Sequence, residues 1–389
     1  MKKYDFIVIG AGPAGSYFST IISRNGYKTL LIEKKRLPGE NIHCGEALSK
    51  NSVSGIMDIK NEWISTNINE ITFFSPSKSH FTIEFPDGGW ILKRRIFDYD
   101  LFVEAAKAGT ETITGNAVTN LYRKENYWKV KLQDGSIFYS KLLIGSDGLP
   151  SLVGKATGLT TPLSYGQFYL TYQYLIYTNE STSSMEFFFG NKVAPGGYGW
   201  VFSKGNGTYN AGVGIDRKKT NKYPEIFLKD ILKFRFKKYN VLSKFGSGIP
   251  AIYQEKLVDK DKMVALIGDA ARLADPFTGG GIAHALTSAK ILGESILKNG
   301  LSKTALIHYQ NKWKKTFGKN IKWGINTKKV IQNFSDKDLE NFFKFGIKKL
   351  DKKKMSKIHT YSILRDFFLE YPYMLKYGRV MLRGRYDLR

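Results

Sequence analysis

Apolar and polar positions change rhythm several times along the chain. Residues 4–9 form a short apolar run with β-branched members, ended by Gly10. A helical period follows from Pro13 to about Asn25, then a second apolar run over 29–32 that closes on Glu33. This predicts a strand–turn–helix–strand unit. The middle reads differently. Residues 70–74, 80–85, 127–132, 167–177, 185–189 and 199–202 mix aromatic and β-branched residues with polar interruptions. That is the pattern of half-buried antiparallel strands. Asp134-Gly135 signals a hairpin. Residues 142–144 and 264–267 return to the wholly apolar type of a buried parallel strand, and after Gly279 the period is helical, broken at Gly300, Asp351 and Pro372.

The order predicts an α/β domain interrupted by an α+β antiparallel-sheet domain and followed by C-terminal helices. The expected boundaries are 1–68, 93–160 and 255–300 for the discontinuous α/β domain, 69–92 and 161–254 for the sheet domain, and 301–389 for a basic helical region. A length of 389 residues suits two or three domains. With 42% hydrophobic residues, including 26 Phe and 23 Tyr, the chain fills a packed interior, which excludes disordered and disulfide-scaffold classes.

Cys44 is the sole cysteine and the five histidines are scattered, so neither an internal disulfide nor a metal centre is expected. A reducing, cytoplasmic setting follows. No run approaches the ~20 apolar residues of a bilayer-crossing helix. Lys2 and Lys3 before the first strand mimic a signal peptide, but the apolar stretch is too short and runs into glycines. Charge is uneven: Lys+Arg 60 against Asp+Glu 34 leaves +26, and residues 301–389 hold 22 Lys/Arg against 7 Asp/Glu, a surplus of 15. Such a tail suits an anionic partner (phosphate, an acidic lipid surface or nucleic acid) or is simply a solvated helical face. Nucleic acid is not expected, because no recognition module accompanies the charge.

Gly10-Ala11-Gly12-Pro13-Ala14-Gly15 opens the first helix directly after the first strand. The glycines permit a tight turn, close approach of backbone to a pyrophosphate, and close helix–sheet packing; the helix N-terminus favours the negative charge. Glu33 lies 18 residues past Gly15 at a strand end, where a carboxylate accepts ribose hydroxyls. Three later segments narrow the dinucleotide. Arg94-Arg95-Ile96-Phe97-Asp98 resembles the arginine-plus-aspartate segment of FAD-dependent hydroxylases and reductases. Asp147-Gly148 resembles their second strand-end motif, with helix capping as its plain alternative. Gly268-Asp269 resembles the motif whose aspartate holds the ribityl chain. FAD in a hydroxylase-type Rossmann-like domain is the expectation. The glycine-rich start at 279–281 would aim a helix N-terminus at the flavin ring, with His284 on that helix expected to be a packed core residue.

From Tyr4 to about Leu301, and weakly through Glu370-Tyr371-Pro372, the chain resembles the geranylgeranyl reductase family, on Cys44-Gly45-Glu46-Ala47, the Tyr198-x-Trp200-x-Phe202 motif with Gly212-Val213-Gly214 after it, and the segment 268–282. Ser203 stands where that family usually has proline. The resemblance implies reduction of isolated double bonds of isoprenoid chains, on geranylgeranyl (glycero)phospholipids or diphosphates, with NAD(P)H or ferredoxin as electron donor. It implies FAD contacts at Gly10, Gly12, Ala14, Gly15, Glu33, Cys44, Gly45, Ala47, Arg94, Val118, Asp269, Gly281 and Ile282.

An isolated alkene has no carbonyl to polarise it, so protonation must lead or accompany hydride from flavin N5. Cys44 is the candidate to donate or position the proton, with a small packed residue as its plain alternative. Tyr198 and Trp200 are candidates to face the developing cation, and with Phe202 to line the substrate channel; at strand spacing the three also fit a plain core stripe. The alternatives are an aromatic hydroxylase or quinone side-chain reductase of the same fold, and a non-catalytic prenyl-lipid escort protein.

Overall fold

The computed structural model describes residues 2–182, 185–355, 360–374 and 377. His359 and residues 378–389, within the expected basic C-terminal region, lie outside them. The opening unit forms as its pattern predicts: strand Lys3–Ile9, helix Pro13–Arg24, strand Thr29–Ile32. Lys3–Ile9 lies at the centre of the first sheet, parallel to Thr29–Ile32 on one side and to Ile137–Gly145 on the other. Val264–Leu266 extends the parallel array beyond Ile137–Gly145, and Glu111–Ile113 extends it beyond Thr29–Ile32. The near-continuous apolar runs are explained by burial on both faces: Phe6, Ile7, Leu30, Leu31, Leu143 and Leu266 are inaccessible to solvent. Helices Pro13–Arg24, Arg94–Lys107 and Ile282–Asn299 pack together on this domain. The Asp134-Gly135 hairpin joins Tyr127–Leu132 to Ile137–Gly145.

The second sheet runs, in spatial order, Asn240–Pro250, Phe168–Tyr177, Thr208–Ile215, Tyr198–Gly205, Met185–Phe188, Ile64–Phe74, His80–Leu92 and Lys353–Lys354. Alternation along Tyr198–Gly205 divides its two faces. Val201 packs with Phe227, Leu228 and Ile231 of the helix Pro224–Arg235, whereas Trp200 and Phe202 turn to the opposite face, beside Ile71 and Phe85.

Sheet membership departs from the expected boundaries in two places. The second sheet begins before residue 69: Ile64–Phe74 is one continuous strand, and Ala47–Ser49 pairs with the end of His80–Leu92. Threonine and asparagine at 66 and 67 hid the start of that strand, because half of it is solvated. Nor is the region after 300 a separate helical body. Leu306, Tyr309 and Trp313 of helix Lys303–Gln332 complete the core of the first domain. Lys353–Lys354 adds a short parallel edge strand to the second sheet. Helix Asp336–Lys349, started by a Ser335–Asp338 capping box, packs Phe343 against Phe81 of that sheet.

Candidate active site

The first strand ends in a turn that only glycine can make. Gly10 has φ +99°, and a Cβ there would lie 2.4 Å from the Ser146 carbonyl oxygen. A Cβ on Gly15 would lie 2.0 Å from the Gly10 carbonyl oxygen. Gly15 therefore serves helix–strand packing and, unlike Gly10, Gly12 and Ala14, does not line the cavity described below. Gly12 differs again: a Cβ there meets nothing within 4 Å, because it faces open space at the helix N-terminus. Glu33 is buried beside this turn, its carboxylate accepting the Ala11 amide at 2.8 Å and the Lys35 amide at 2.9 Å.

A cavity of about 1190 Å³ starts at this cradle and runs into the second sheet. Gly10, Gly12, Ala14, Glu33, Cys44, Gly45, Ala47, Arg94, Val118, Asp269, Gly281 and Ile282 all border it, as do Tyr198, Trp200 and Phe202. Residues more than 270 positions apart in the sequence, Gly10 and Ile282, thus share one surface. Arg94 is buried and gives Asp98 a two-point ion pair, Nε to Oδ1 at 2.7 Å and Nη2 to Oδ2 at 2.8 Å. Asp269 is open to the cavity yet deep in the protein. Burial pushes its carboxyl up, and Arg94 and His284 pull it partly back. Asp275 shapes the following loop, accepting from the Phe277 amide at 3.0 Å, the Thr278 amide at 2.6 Å and the Thr278 hydroxyl at 2.9 Å. That loop delivers Gly281 to the start of helix Ile282–Asn299, whose first turn carries no side-chain cap. Asp147 is used as a cap, holding Ser151 Oγ at 2.7 Å and the Val153 amide at 3.1 Å. His284 is a packed residue bonded to the Leu273 carbonyl and set against Phe317 and Trp313.

Beyond Ala47 and Ile282 the cavity turns apolar. Tyr198, Trp200 and Phe202 stand in a row, Phe187 packs edge-on to Tyr198 and Phe202, and Phe73 stacks between Phe187 and Phe81. Ile331, Leu339, Phe342, Phe343 and Leu364 of the C-terminal helices, with Phe334 between two of them, line the rest. The hydroxyl of Tyr198 donates to the Thr278 carbonyl, tying this wall to the glycine loop. Burial pushes that hydroxyl far above the ordinary tyrosine range. Trp200 Nε1 donates to Asn210 Oδ1 at 3.0 Å, and Gly212 opposite leaves room for the indole.

Sequence reasoning missed Asn210, Gln173 and Lys204 around the Cys44 loop. No motif marked them, since strand pairing alone brings them there. It also missed the lining supplied by the C-terminal helices, whose phenylalanines read from sequence as ordinary helix core.

Two profiles of known families match: one described as a geranylgeranyl reductase catalytic domain over residues 168–249, and an NAD(P)-binding Rossmann-like domain over 8–63. The chain is 33% identical to digeranylgeranylglycerophospholipid reductase 1 of Methanococcoides burtonii over 377 residues, 93% of this chain and 92% of that one. The chain belongs to the geranylgeranyl reductase family. The corresponding protein of Methanosarcina acetivorans is 32% identical over 94% of this chain and 93% of its own. A solved structure of a geranylgeranyl bacteriochlorophyll reductase-like protein from Thermoplasma acidophilum superposes with a TM-score of 0.87 at 26% identity, covering 97% of this chain and 98% of that one. The halogenase PltM, solved with phloroglucinol and FAD, shares the fold alone, with a TM-score of 0.70 at 16% identity over 88% of this chain and 79% of its own.

The residues present fit FAD. Two helix N-termini without side-chain caps border the cavity, one behind the open face of Gly12 and one at Gly281, and each offers free amides to an anion. Glu33 and Asp269 supply hydroxyl acceptors between and beside them. The Rossmann-like match concerns the βαβ unit that all dinucleotides share. The geranylgeranyl reductase family membership expected from Cys44-Gly45-Glu46-Ala47 and from 268–282 holds.

Proposed function

We propose that this protein is an FAD-dependent reductase that hydrogenates isolated C=C bonds of geranylgeranyl chains carried on isoprenoid (glycero)phospholipids or diphosphates. The observation that supports it is the continuity of one cavity from a dinucleotide cradle into an aromatic, cation-free chamber. Among the described residues the cations bordering the cavity, Lys34, Lys35 and Arg94, all lie towards the cradle. The chamber therefore takes hydrocarbon, at ~0.8 kcal/mol per buried methylene. The residues also suit the order of events that an unpolarised alkene demands.

FAD, when bound and reduced, supplies hydride. The chain supplies the rest. Burial pushes the Cys44 thiol up, against the opposing pull of Arg94, so the sulfur keeps its proton at neutral pH. Cys44 is the proton-bearing group of the reading. Trp200 and Tyr198 present electron-rich faces to the branched carbon as it gains positive character, worth ~0.5–2 kcal/mol each. Tyr198 spends its hydroxyl proton on Thr278, which leaves its ring, not its hydroxyl, for this task. The apolar walls exclude water that would otherwise quench the cation.

Dithionite-reduced protein incubated anaerobically with geranylgeranyl lipid should yield product heavier by whole hydrogen pairs. Oxygen consumption coupled to substrate hydroxylation, or a purified protein that never holds flavin, would overturn the reading in favour of a hydroxylase or an escort protein. The donor of electrons is NAD(P)H or ferredoxin, and anaerobic bleaching of the flavin absorbance by one and not the other decides between them.

No helix of the described residues is long and apolar enough to cross a membrane. Helix Asp336–Lys349 exposes Ile347 among Lys344, Lys348 and Lys349, and Leu369 and Tyr373 are exposed on the segment after it. These C-terminal helices line the far chamber, so resting this face on an anionic bilayer would bring the chamber next to its substrate. Each nearby lysine adds ~1 kcal/mol.

A further inference from the structure

Behind the Cys44 loop lies a buried polar cluster that the chemistry above leaves without a task. Strand pairing sets Phe202 opposite Asn210 and Trp200 opposite Gly212, so Asn210 shares the cavity-side face with both aromatic rings. From there one amide serves three groups. Asn210 Nδ2 donates to the Cys44 carbonyl at 2.7 Å and to Glu46 Oε2 at 3.4 Å, while Asn210 Oδ1 accepts from Trp200 Nε1 at 3.0 Å. Gln173 adds a second, longer donor to the Cys44 carbonyl at 3.3 Å. Lys204, two residues after Phe202 on the same strand, forms an ion pair with Glu46 and donates to the Leu92 carbonyl at 3.1 Å. Both charged side chains are largely shielded, at 15% and 13% exposure.

The conformation these contacts hold is an unusual one. Glu46 has φ +65°, a left-handed backbone that a residue with a Cβ rarely adopts unless its surroundings impose it. Its carbonyl accepts the Leu92 amide at 2.9 Å, so backbone and side chain are gripped from the same direction. The consequence falls on Cys44: in this conformation the Glu46 amide points back and donates to Cys44 Sγ at 3.2 Å. An apolar pair of similar size could join the strand to the loop as firmly. It could not direct an amide at a sulfur, which is what a polar grip adds.

We propose that Asn210 and Lys204 are positioning residues, which clamp Glu46 in its left-handed conformation and so hold the Cys44 sulfur and the Trp200 ring together where the dinucleotide half of the cavity meets the apolar half. The assignment deepens the reductase reading, but only its kinetic consequence rests on that reading. Loss of the clamp frees the loop to relax toward ordinary backbone and exposes the sulfur.

Cys44 is the only cysteine of the chain, so alkylation by iodoacetamide reports on this one sulfur, with or without FAD and without any turnover. Asn210→Leu and Lys204→Met should each raise the alkylation rate at mildly alkaline pH by roughly tenfold or more. Lys204→Arg, which keeps the ion pair, should stay near the parent rate. At saturating geranylgeranyl lipid the first two should lose roughly tenfold or more in kcat, with KM little changed for Lys204→Met, which leaves the hydrogen bond from Trp200 to Asn210 in place. Folded variants that alkylate at the parent rate would overturn the proposal, as would Lys204→Arg behaving like Lys204→Met. If Asn210→Leu does not fold, Asn210→Ser and Lys204→Met carry the same comparison. A parent protein inactive on every prenyl lipid would defeat the reductase reading, and the alkylation rates would still decide the clamp.

Discussion

The two glycines of the Gly212-Val213-Gly214 segment look equivalent, and the structure makes them very unequal. A Cβ on Gly212 would stand 2.1, 2.5 and 2.7 Å from three carbons of the Trp200 indole. Reaching ordinary contact, which begins at 3.4 Å, requires the ring to move by about 1.3 Å. It has little freedom to do so, with Tyr198 and Phe202 flanking it and its Nε1 committed to Asn210. Overpacking of this kind costs about 1–3 kcal/mol, and losing the indole–Asn210 hydrogen bond adds about 0.5–1.5 kcal/mol. Gly212→Ala should therefore lose about 1.5–4.5 kcal/mol of stability. A Cβ on Gly214 meets only ordinary neighbours, Thr171 Cγ2 at 3.5 Å and Tyr169 Cβ at 3.7 Å. Gly214→Ala should stay within about 0.5 kcal/mol of the parent. Urea unfolding followed by tryptophan fluorescence measures both, and lipid reduction by the folded proteins should show a raised KM for Gly212→Ala alone. Equal midpoints for the two variants would refute the claim that the first glycine exists to seat the indole.

Other consequences are equally direct. Gly12→Ala should leave the fold and its stability unchanged but weaken FAD retention on gel filtration, whereas Gly10→Ala, strained at φ +99° and blocked by Ser146, should damage both. Arg94→Gln leaves Asp98 as an unpaired buried carboxylate and should cost about 3–5 kcal/mol in urea unfolding, with no such loss in Arg95→Gln on the same helix. The Asp269 carboxyl is raised in the folded protein, so the ionised form costs stability that is lost as pH rises through the folded pKa. Asp269→Asn should accordingly make the FAD-free protein more stable at neutral pH, and less dependent on pH above the ordinary carboxylate range, while it binds FAD more weakly. Sedimentation with anionic vesicles should fall with added salt and when Lys344, Lys348 and Lys349 are neutralised together; salt-independent binding would remove the electrostatic argument for a membrane face.

The residues that could be read along the chain were those whose task is local. Gly10 and Gly12 answer to the geometry of one turn, Glu33 to the end of the next strand, and the period after Gly279 to helices that bury one stripe. The pairs of parallel strands could be placed because burial on both faces leaves an apolar signature within four or five residues. Cys44 and the Tyr198-x-Trp200-x-Phe202 row were recognisable through their resemblance to motifs of the geranylgeranyl reductase family. The start of strand Ile64–Phe74 was not, since its solvated half carries polar residues that read as loop.

Sequence by itself thus determined the α/β cradle and the strand character of the middle, because short-range sterics and hydrophobic period act over a turn or a strand. Only the tertiary structure decided that Asn210 and Lys204 reach the Cys44 loop, that Gly212 yields its space to Trp200, and that helix Asp336–Lys349 walls the far chamber. Apart from Gly212 and Trp200, which face each other across one pair of adjacent strands, those contacts join residues more than a hundred positions apart, and strand pairing and helix packing, not local preference, choose which side chains meet.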